Sequence, residues 1–449
     1  MTASKSVFVG MCAVLLLALG PGVANAQKKG DPTGPAQPAP AAATPFSDVR
    51  RDSLLNGMQI VTLERPAERV RCELIVRSGA MFDTVGRAGL AALTQATLMS
   101  ANPRLKDEIE SLQGEVTWGL DWDATWYHLE VPAANFETAL EIVGRLVNVE
   151  AIRPDAFKRA QELQLDKVKE RAKLEPAVRA DEAFLAAVYR EHPYGHGIDG
   201  DEQTIAAIRQ GDIHDFESRF YLANNAVALI VGPIRHERAV RAFKLLFGGW
   251  VKGPVVPPTF RQPQRTTEVR VIRVVAPEAS KVELRGGVVG LRAIDEDFVV
   301  AQVIARVLEA RLKRDAAAQA SDRVVADAPS RRLAGPVFFS ASITPERAVA
   351  FSRAATDGFA ALAGGHVSAE ELASAKAALA NARAARSIGD QLREIEFYAL
   401  PRTYPLTYMS RLEAVTAADV QRVAQRLLAA NALTVVVLGP VAENLKPQL

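Results

Sequence analysis

The segment AIRQGDIHDFESRFYLANNAVALIVGPI (residues 207–234) returns in pattern as AVTAADVQRVAQRLLAANALTVVVLGPV (residues 414–441). In each copy an acidic residue, Asp212 or Asp419, opens an amphipathic helix, and an asparagine, Asn224 or Asn431, breaks it. A run of aliphatic residues then ends in Gly-Pro, which is typical of a helix, a turn and a buried strand. The two Gly-Pro pairs lie 207 residues apart, and this spacing predicts two copies of one α/β unit.

Sequence upstream of each copy extends the repeat. The apolar strand that contains CEL (residues 72–74) corresponds to one that contains VEL (residues 282–284), and helical stretches follow at 89–99 and at 297–313. Neighbouring strands beside paired helices predict an α+β fold. We therefore expect two duplicated domains, each a mostly antiparallel sheet with helices packed on one face.

The first copy has predicted strands at 59–63, 71–77, 115–120, 126–131 and 226–231, and predicted helices at 135–147, 154–173 and 181–190. In the second copy, Ser368 and Glu371 form a capping box that opens a helix predicted to run past Arg386. Thr416 and Asp419 form a second capping box, with Asp in place of Glu. The predicted domains span residues 46–250 and 265–449, and a proline-rich linker at 251–264 joins them.

Composition excludes several classes of protein. The 449 residues are 49% hydrophobic and 24% charged, which is a globular balance, and the net charge of +2 is too small for nucleic-acid binding.

Residues 1–26 are typical of a cleaved signal peptide, and 27–45 form a linker rich in Pro and Ala. The apolar run of the signal is shorter than a membrane span, so we expect an exported, periplasmic or similarly placed protein without a span after cleavage.

A series of short motifs, in this order and spacing, resembles the pitrilysin/insulinase family of zinc peptidases. That family includes mitochondrial processing peptidase and the core proteins of the cytochrome bc complex. The resemblance covers residues 50–441 and implies the mitochondrial processing peptidase type of fold. It rests on LNGMQIV (55–61), RSGA (77–80), Gly114, Thr125, Tyr127, HPYG (192–195), Gly200, VTAADV (415–420) and the closing Gly-Pro (439–440).

The zinc motif of active family members is altered in this chain. Active members carry His-x-x-Glu-His on the first helix, where residues at i, i+3 and i+4 share one face and hold zinc beside a water-activating carboxylate. The pattern falls here on GLAALTQA (residues 89–96), so Ala92 and Ala96 occupy the ligand positions and Gln95 the base position. Alanine has no donor atom for a metal, and glutamine takes no proton from water. The sequence therefore predicts no catalytic residue, no metal site and no cofactor, although active relatives use zinc.

Carboxylates also lie on the later helix from which the family draws its third ligand. They are Glu162, Asp166 and Glu170, and ordinary helix patterning indicates a solvated face. One carboxylate would not replace the missing pair of ligands.

The resemblance also implies residues that bind a substrate. An extended peptide would lie along the edge strand at Val116, Thr117 and Trp118, with Thr117 at the position of the family's substrate-binding asparagine. Arg311 stands where catalytically silent relatives keep an arginine that grips the substrate carbonyl. The tyrosine that acts with it is missing, because no tyrosine occurs from residue 222 to residue 397.

Two other sets of residues invite a functional interpretation. His192 and His196 have the spacing of a metal-binding pair on a helix, but Pro193 and Gly195 indicate a loop, and the resemblance indicates a family turn with at most an adventitious metal site. Tryptophans stand four residues apart at 118, 122 and 126. We expect aromatic packing between sheet and helices rather than an exposed stripe that docks peptides.

The leading hypothesis is an exported, catalytically silent homologue that pairs with an active family member to build a peptide-holding chamber. One alternative is a structural scaffold, like the core proteins of the bc complex. A second alternative is an active zinc peptidase with atypical ligands.

Overall fold

The computed structural model describes residues 46–147, 152–174, 176–263, 265–266, 268–315, 322–365, 367–428 and 432–440. The predicted signal peptide, the linker at 27–45 and Asn431 lie outside the described residues. No helix in these ranges is both long enough and apolar enough to cross a membrane.

The first half is built on a six-stranded sheet in the order β1-β2-β6-β3-β5-β4. Its strands are β1 Arg50–Ser53, β2 Gln59–Glu64, β3 Arg69–Val76, β4 Glu115–Leu120, β5 Thr125–Pro132 and β6 Ala226–Gly232. Its helices are α1 Leu90–Ala101, α2 Leu105–Ser111, α3 Phe136–Gly144, α4 Pro154–Leu174, α5 Pro176–Tyr189, α6 Glu202–Ala207, α7 Gln210–Phe220 and α8 His236–Phe247. The prediction from sequence omitted β1.

The second half is built on a five-stranded sheet in the order β7-β11-β8-β10-β9. Its strands are β7 Arg270–Val275, β8 Val282–Val289, β9 Arg323–Asp327, β10 Pro336–Ile343 and β11 Thr434–Gly439. Its helices are α9 Phe298–Arg314, α10 Ala348–Ala363, α11 Ala369–Ala384, α12 Ile388–Tyr398, α13 Tyr404–Ala414 and α14 Ala417–Leu427.

The two sheets confirm the predicted duplication. Strand β2 runs parallel to β6, β7 runs parallel to β11, and the other strand pairs are antiparallel. Strands β3 and β8 hold the same place in the two orders and carry the corresponding CEL and VEL segments. The second sheet differs by having no counterpart of β1 among the described residues.

Both predicted capping boxes of the second half are present. The backbone N–H of Glu371 donates to the Ser368 hydroxyl (3.1 Å), and the N–H of Asp419 donates to Thr416 at the same distance. The predicted continuation past Arg386 is wrong, because α11 ends at Ala384 and the hydroxyl of Ser387 caps α12 instead.

Each sheet is covered on its second face by a helix from the opposite half. Helix α12 places Leu392, Ile395 and Phe397 against apolar side chains of β2, β3 and β6. Helix α5 packs in turn against β8 and β11, and Arg285 of β8 donates to the carbonyl of Ala177 (3.0 Å) while it pairs with Asp181. The two halves therefore complete each other's cores.

Candidate functional site

Helix α1 carries the three altered motif positions, and Asp83 fixes its start. The Asp83 carboxylate accepts hydrogen bonds from the backbone N–H groups of Gly89 (2.7 Å) and Ala91 (2.8 Å). A helix N-terminus otherwise leaves such donors without partners. Gly89 has φ 89°, in the left-handed region that glycine adopts without strain. This start turns one face of α1 toward a groove lined by Ala92, Gln95 and Ala96.

The amide of Gln95 joins α1 to the edge of the first sheet. Its side chain is buried, and Nε2 donates to the backbone carbonyls of Gly119 on β4 (3.0 Å) and Trp126 on β5 (3.2 Å). The nitrogen of a side-chain amide only donates hydrogen bonds and does not accept a proton from water. Gln95 is therefore a positioning residue of the fold and does not act as a general base.

The residues at the motif positions do not fit a zinc ion. Ala92 and Ala96 offer methyl groups, whereas zinc requires nitrogen, sulfur or carboxylate oxygen. Among the residues that the structure describes, no three His, Cys, Asp or Glu side chains gather in a way that suits a metal. The three carboxylates of α4 named above are exposed and do not line the groove.

The groove has a volume of about 900 Å³ and lies between α1, α4 and the edge strand β4. Helix α4 contributes one row of side chains at a spacing of four residues. This spacing places them on one stripe of the helix. The row consists of Arg159, Leu163, Lys167 and Arg171. This row was not among the residues predicted from the sequence, although a leucine among charged residues at helical spacing is a usable signal.

Strand β4 is an edge strand, since β5 is its only neighbour in the sheet order of the described residues. Val116 points into the core, whereas Thr117 and Trp118 are exposed. Trp118 lines the groove, while Val116 and Thr117 are not among its lining residues. The three predicted residues thus lie on one edge strand, and one of them contributes its side chain to the groove.

Trp122 and Trp126 pack as expected from the sequence, whereas Trp118 departs from that expectation because it is exposed in the groove. The Trp122 indole donates to the carbonyl of His196 (3.1 Å), and the Arg331 guanidinium lies 5.0 Å from its ring centre. Trp126 is covered by Arg393 at 4.8 Å.

Arg311 does not reach the groove. It lies on α9 and forms two hydrogen bonds of 2.9 Å with the carboxylate of Glu371 on α11. Hydrogen bonds from Arg311 and from the Ser368 backbone lower the pKa of Glu371 to about 2. The structure therefore places Arg311 in an ion pair between two helices of the second half.

The histidine pair lies in a turn. His192 Nδ1 accepts a hydrogen bond from the backbone of Tyr194 (3.2 Å), and burial lowers the pKa of His192 to about 4. His196 Nδ1 lies 3.9 Å from the Asp83 carboxylate. These contacts hold the turn against the start of α1 and agree with the structural interpretation of the motif.

Tyr194 of the same turn forms a junction between the two halves, which the HPYG motif did not indicate. The Tyr194 hydroxyl donates to Asp123 (2.6 Å) and accepts from the backbone N–H of Leu333 in the second half (3.1 Å). Burial, together with the neighbouring carboxylate of Asp121, raises the pKa of Asp123 to about 7. Beside the junction lies a second cavity of about 330 Å³ that shares Trp122, Asp181 and Leu185 with the groove.

Two duplicated α+β halves with an altered metal motif on the first helix define a protein of the zinc-peptidase fold. The family model described as "Insulinase (Peptidase family M16)" matches residues 59–202, and the model "Peptidase M16 inactive domain" matches residues 207–379. The chain belongs to this insulinase-like family, M16.

Known relatives agree with this assignment. The "Zinc protease PqqE" of Helicobacter pylori is 24% identical over 202 residues, which are 43% of this chain and 46% of the relative. The match thus spans about half the length of that curated relative.

Solved structures show the same fold. A peptidase M16 inactive domain from Pseudomonas fluorescens has a TM-score of 0.79 at 22% identity and covers 88% of this chain and 98% of its own. The first half of the periplasmic protease PqqL from Escherichia coli has a TM-score of 0.71 at 16% identity, with coverage of 89% and 93%. A chain of complex III2 from Candida albicans has a TM-score of 0.74 at 14% identity, with coverage of 89% and 97%.

Proposed function

We propose that this chain is an exported, non-catalytic member of the family that builds a peptide-holding chamber together with a catalytically active member. The observation that carries the proposal is the groove itself. It keeps an open edge strand, but Ala92 and Ala96 replace the metal ligands and the amide of Gln95 is bonded to the sheet. Such a groove suits the holding of a peptide without its cleavage.

In this proposal an extended peptide adds to β4 as a further strand. Main-chain hydrogen bonds supply affinity in this mode, and alternate side chains supply specificity. Val116 contributes its main chain, whereas Thr117 and Trp118 contribute exposed side chains. A role of Arg311 in substrate binding stays an untested prediction, and the proposal does not use it, because two hydrogen bonds hold its guanidinium at Glu371.

Export and pairing have separate support. The pattern of residues 1–26 favours export, and one structural neighbour is a periplasmic protease. The structural neighbour from complex III2 is part of a larger assembly, which favours a subunit role.

The test begins with the chain from residue 27 onward, purified alone. We expect substoichiometric zinc by metal analysis and no peptidase activity that a chelator abolishes. Mixed with an active His-x-x-Glu-His family member from the same organism, it should form an equimolar complex by light scattering and raise the rate of peptide cleavage. Stoichiometric zinc with chelator-sensitive activity in the chain alone would overturn the proposal and favour the atypical-ligand alternative.

The scaffold alternative rests on the neighbour from complex III2 and on two losses in the sequence. Thr117 stands at the position of the family's substrate-binding asparagine, and the tyrosine that acts with the substrate-gripping arginine is missing. It predicts a stable complex that leaves the cleavage rate unchanged and a chain that binds no extended peptide. Peptide affinity of the isolated chain therefore separates the two functions.

A further inference from the structure

The middle of the groove presents apolar surface at the positions where active relatives hold metal. Ala92 and Ala96 supply methyl groups, and the nitrogen of Gln95 is already bonded to two carbonyls. Across from them, Leu163 is 63% exposed and Trp118 is 38% exposed, although both are large and apolar. Exposed apolar surface gathered in a concave site marks a binding surface.

The two ends of the groove differ in charge. At the start of α1, Lys167 bonds to Asp199 at 2.9 Å, and Arg171 pairs with Asp199 and with Glu182. Two cations thus face two carboxylates, all four of which line the groove. Asp181 lines this end as well and pairs with Arg285 of β8, so each of these charges has a partner of opposite sign.

The opposite end, where α1 finishes, is cationic. Arg159 and Lys106 line it, and Arg159 reaches the carbonyl of Ser100 at 3.5 Å. Their carboxylate partners are Asp155 at 3.5 Å and Glu110 at 3.7 Å, which lie one helical turn away and outside the groove lining. Exposed ion pairs of this kind contribute little to stability, so a carboxylate of the ligand can replace Asp155 and Glu110 as the partner of these two cations.

We propose that the groove recognises an extended peptide that carries a bulky apolar side chain beside a carboxylate. The apolar side chain occupies the vacated metal position between α1 and Leu163, and the carboxylate lies at Lys106 and Arg159. This inference rests on the proposed peptide-holding function and names its substrate class. The carboxylate is that of an acidic residue that follows the apolar residue in the peptide.

Fluorescence anisotropy with four labelled decapeptide probes tests the inference on the chain from residue 27 onward. The first probe contains Phe followed by Glu, the second replaces Phe with Ser, and the third replaces Glu with Lys. The fourth has Phe as its last residue, with either a free or an amidated C-terminus. We expect the first probe to bind at least tenfold more tightly than the second, the third and both forms of the fourth. Equally tight binding of the fourth probe with a free C-terminus would overturn the assignment of the carboxylate to an acidic residue.

Variants locate the site. Leu163→Asp should weaken binding of the first probe at least tenfold, whereas Leu245→Asp, at an 84% exposed leucine outside the groove lining, should leave it unchanged. The double variant K106E/R159E should reverse the preference between Glu and Lys probes, and R241E/K244E, a reversal on the exposed face of α8, should not.

The outcomes are distinguishable. Equal binding of all probes, or full affinity in Leu163→Asp, overturns the apolar subsite and leaves peptide holding intact. Binding of none of the probes, in a chain whose circular dichroism shows that it is folded, overturns peptide holding together with the subsite.

Discussion

The side-chain nitrogen of Gln95 lies 3.0 Å from the backbone oxygen of Gly119, and this hydrogen bond ties α1 to the edge strand. The same nitrogen also reaches the carbonyl of Trp126. Gln95 stands where an active relative carries its general base, and here it holds α1 against the strands β4 and β5.

Gln95→Glu should destabilise the protein. The substitution brings a carboxylate against two carbonyl oxygens in a buried site and removes the donor that satisfied them, at a cost of about 2 kcal/mol. Urea denaturation followed by tryptophan fluorescence measures the loss. Gln203→Glu, at an exposed position of α6, is the matched control and should shift the free energy of unfolding by less than about 0.5 kcal/mol. Equal stability of the two variants would contradict the structural role of Gln95.

The ion pair of Arg311 and Glu371 should make stability fall in acid. The pKa of Glu371 is about 2 in the folded protein, against about 4.3 in an unfolded chain. The stabilisation is therefore complete above about pH 4.3 and is lost as the pH falls toward 2. Glu371→Gln should lower stability at pH 7 and flatten the dependence between pH 5 and pH 3, measured by thermal unfolding. The exposed neighbour Glu370, changed to Gln, should leave the slope as in the parent.

Tyr194→Phe should loosen the junction between the halves. The variant deprives the Asp123 carboxylate of a 2.6 Å donor and leaves the buried N–H of Leu333 without its acceptor, which costs about 1–3 kcal/mol. Tyr398→Phe removes two longer contacts, the 3.4 Å one to Asp121 and the 3.5 Å one from Arg331, and should cost less. Amide hydrogen exchange at Leu333 distinguishes them, because protection should fall in the first variant and persist in the second.

Leu392→Ala should destabilise the first half although the residue belongs to the second. Leu392 is 2% exposed and packs against the first sheet, and a buried Leu→Ala change costs about 2–5 kcal/mol. All four tryptophans lie before residue 251, so their fluorescence follows the first half and its contacts with Arg331 and Arg393 of the second half. The fluorescence midpoint in urea should therefore fall. Leu406→Ala, at a 47% exposed leucine, serves as control, and an unchanged midpoint in Leu392→Ala would mean that the halves unfold independently.

The fold was largely predictable because the deciding signals are local. The aliphatic runs before the two Gly-Pro pairs became β6 and β11, and the Ser368 and Thr416 boxes became helix starts. Strand β1, with the sequence RRDS, has no hydrophobic alternation and exists through its pairing with β2. The break at Ser387 escaped prediction because the run of Ala and Arg residues before it favours a continuing helix.

The candidate site was predictable only in part. The altered motif and the edge strand followed from the family resemblance of the motifs along the chain. The charges at the two ends of the groove depend on which side chains of α1, α2 and α4 meet in space, so Lys106 and Arg159 carried no signal. Arg311 was placed by resemblance, and only the structure shows its pairing with Glu371.

The exchange of α5 and α12 makes the two repeats mutually dependent. A break engineered in the segment at 251–263 would separate them into two polypeptides, each with one bare sheet face that the other is shaped to cover. Each fragment alone should aggregate and be poorly soluble, whereas co-expression of the two fragments should restore the complete folded protein. The duplicated protein would then behave as a split pair whose reassembly reports on the contact between its parts.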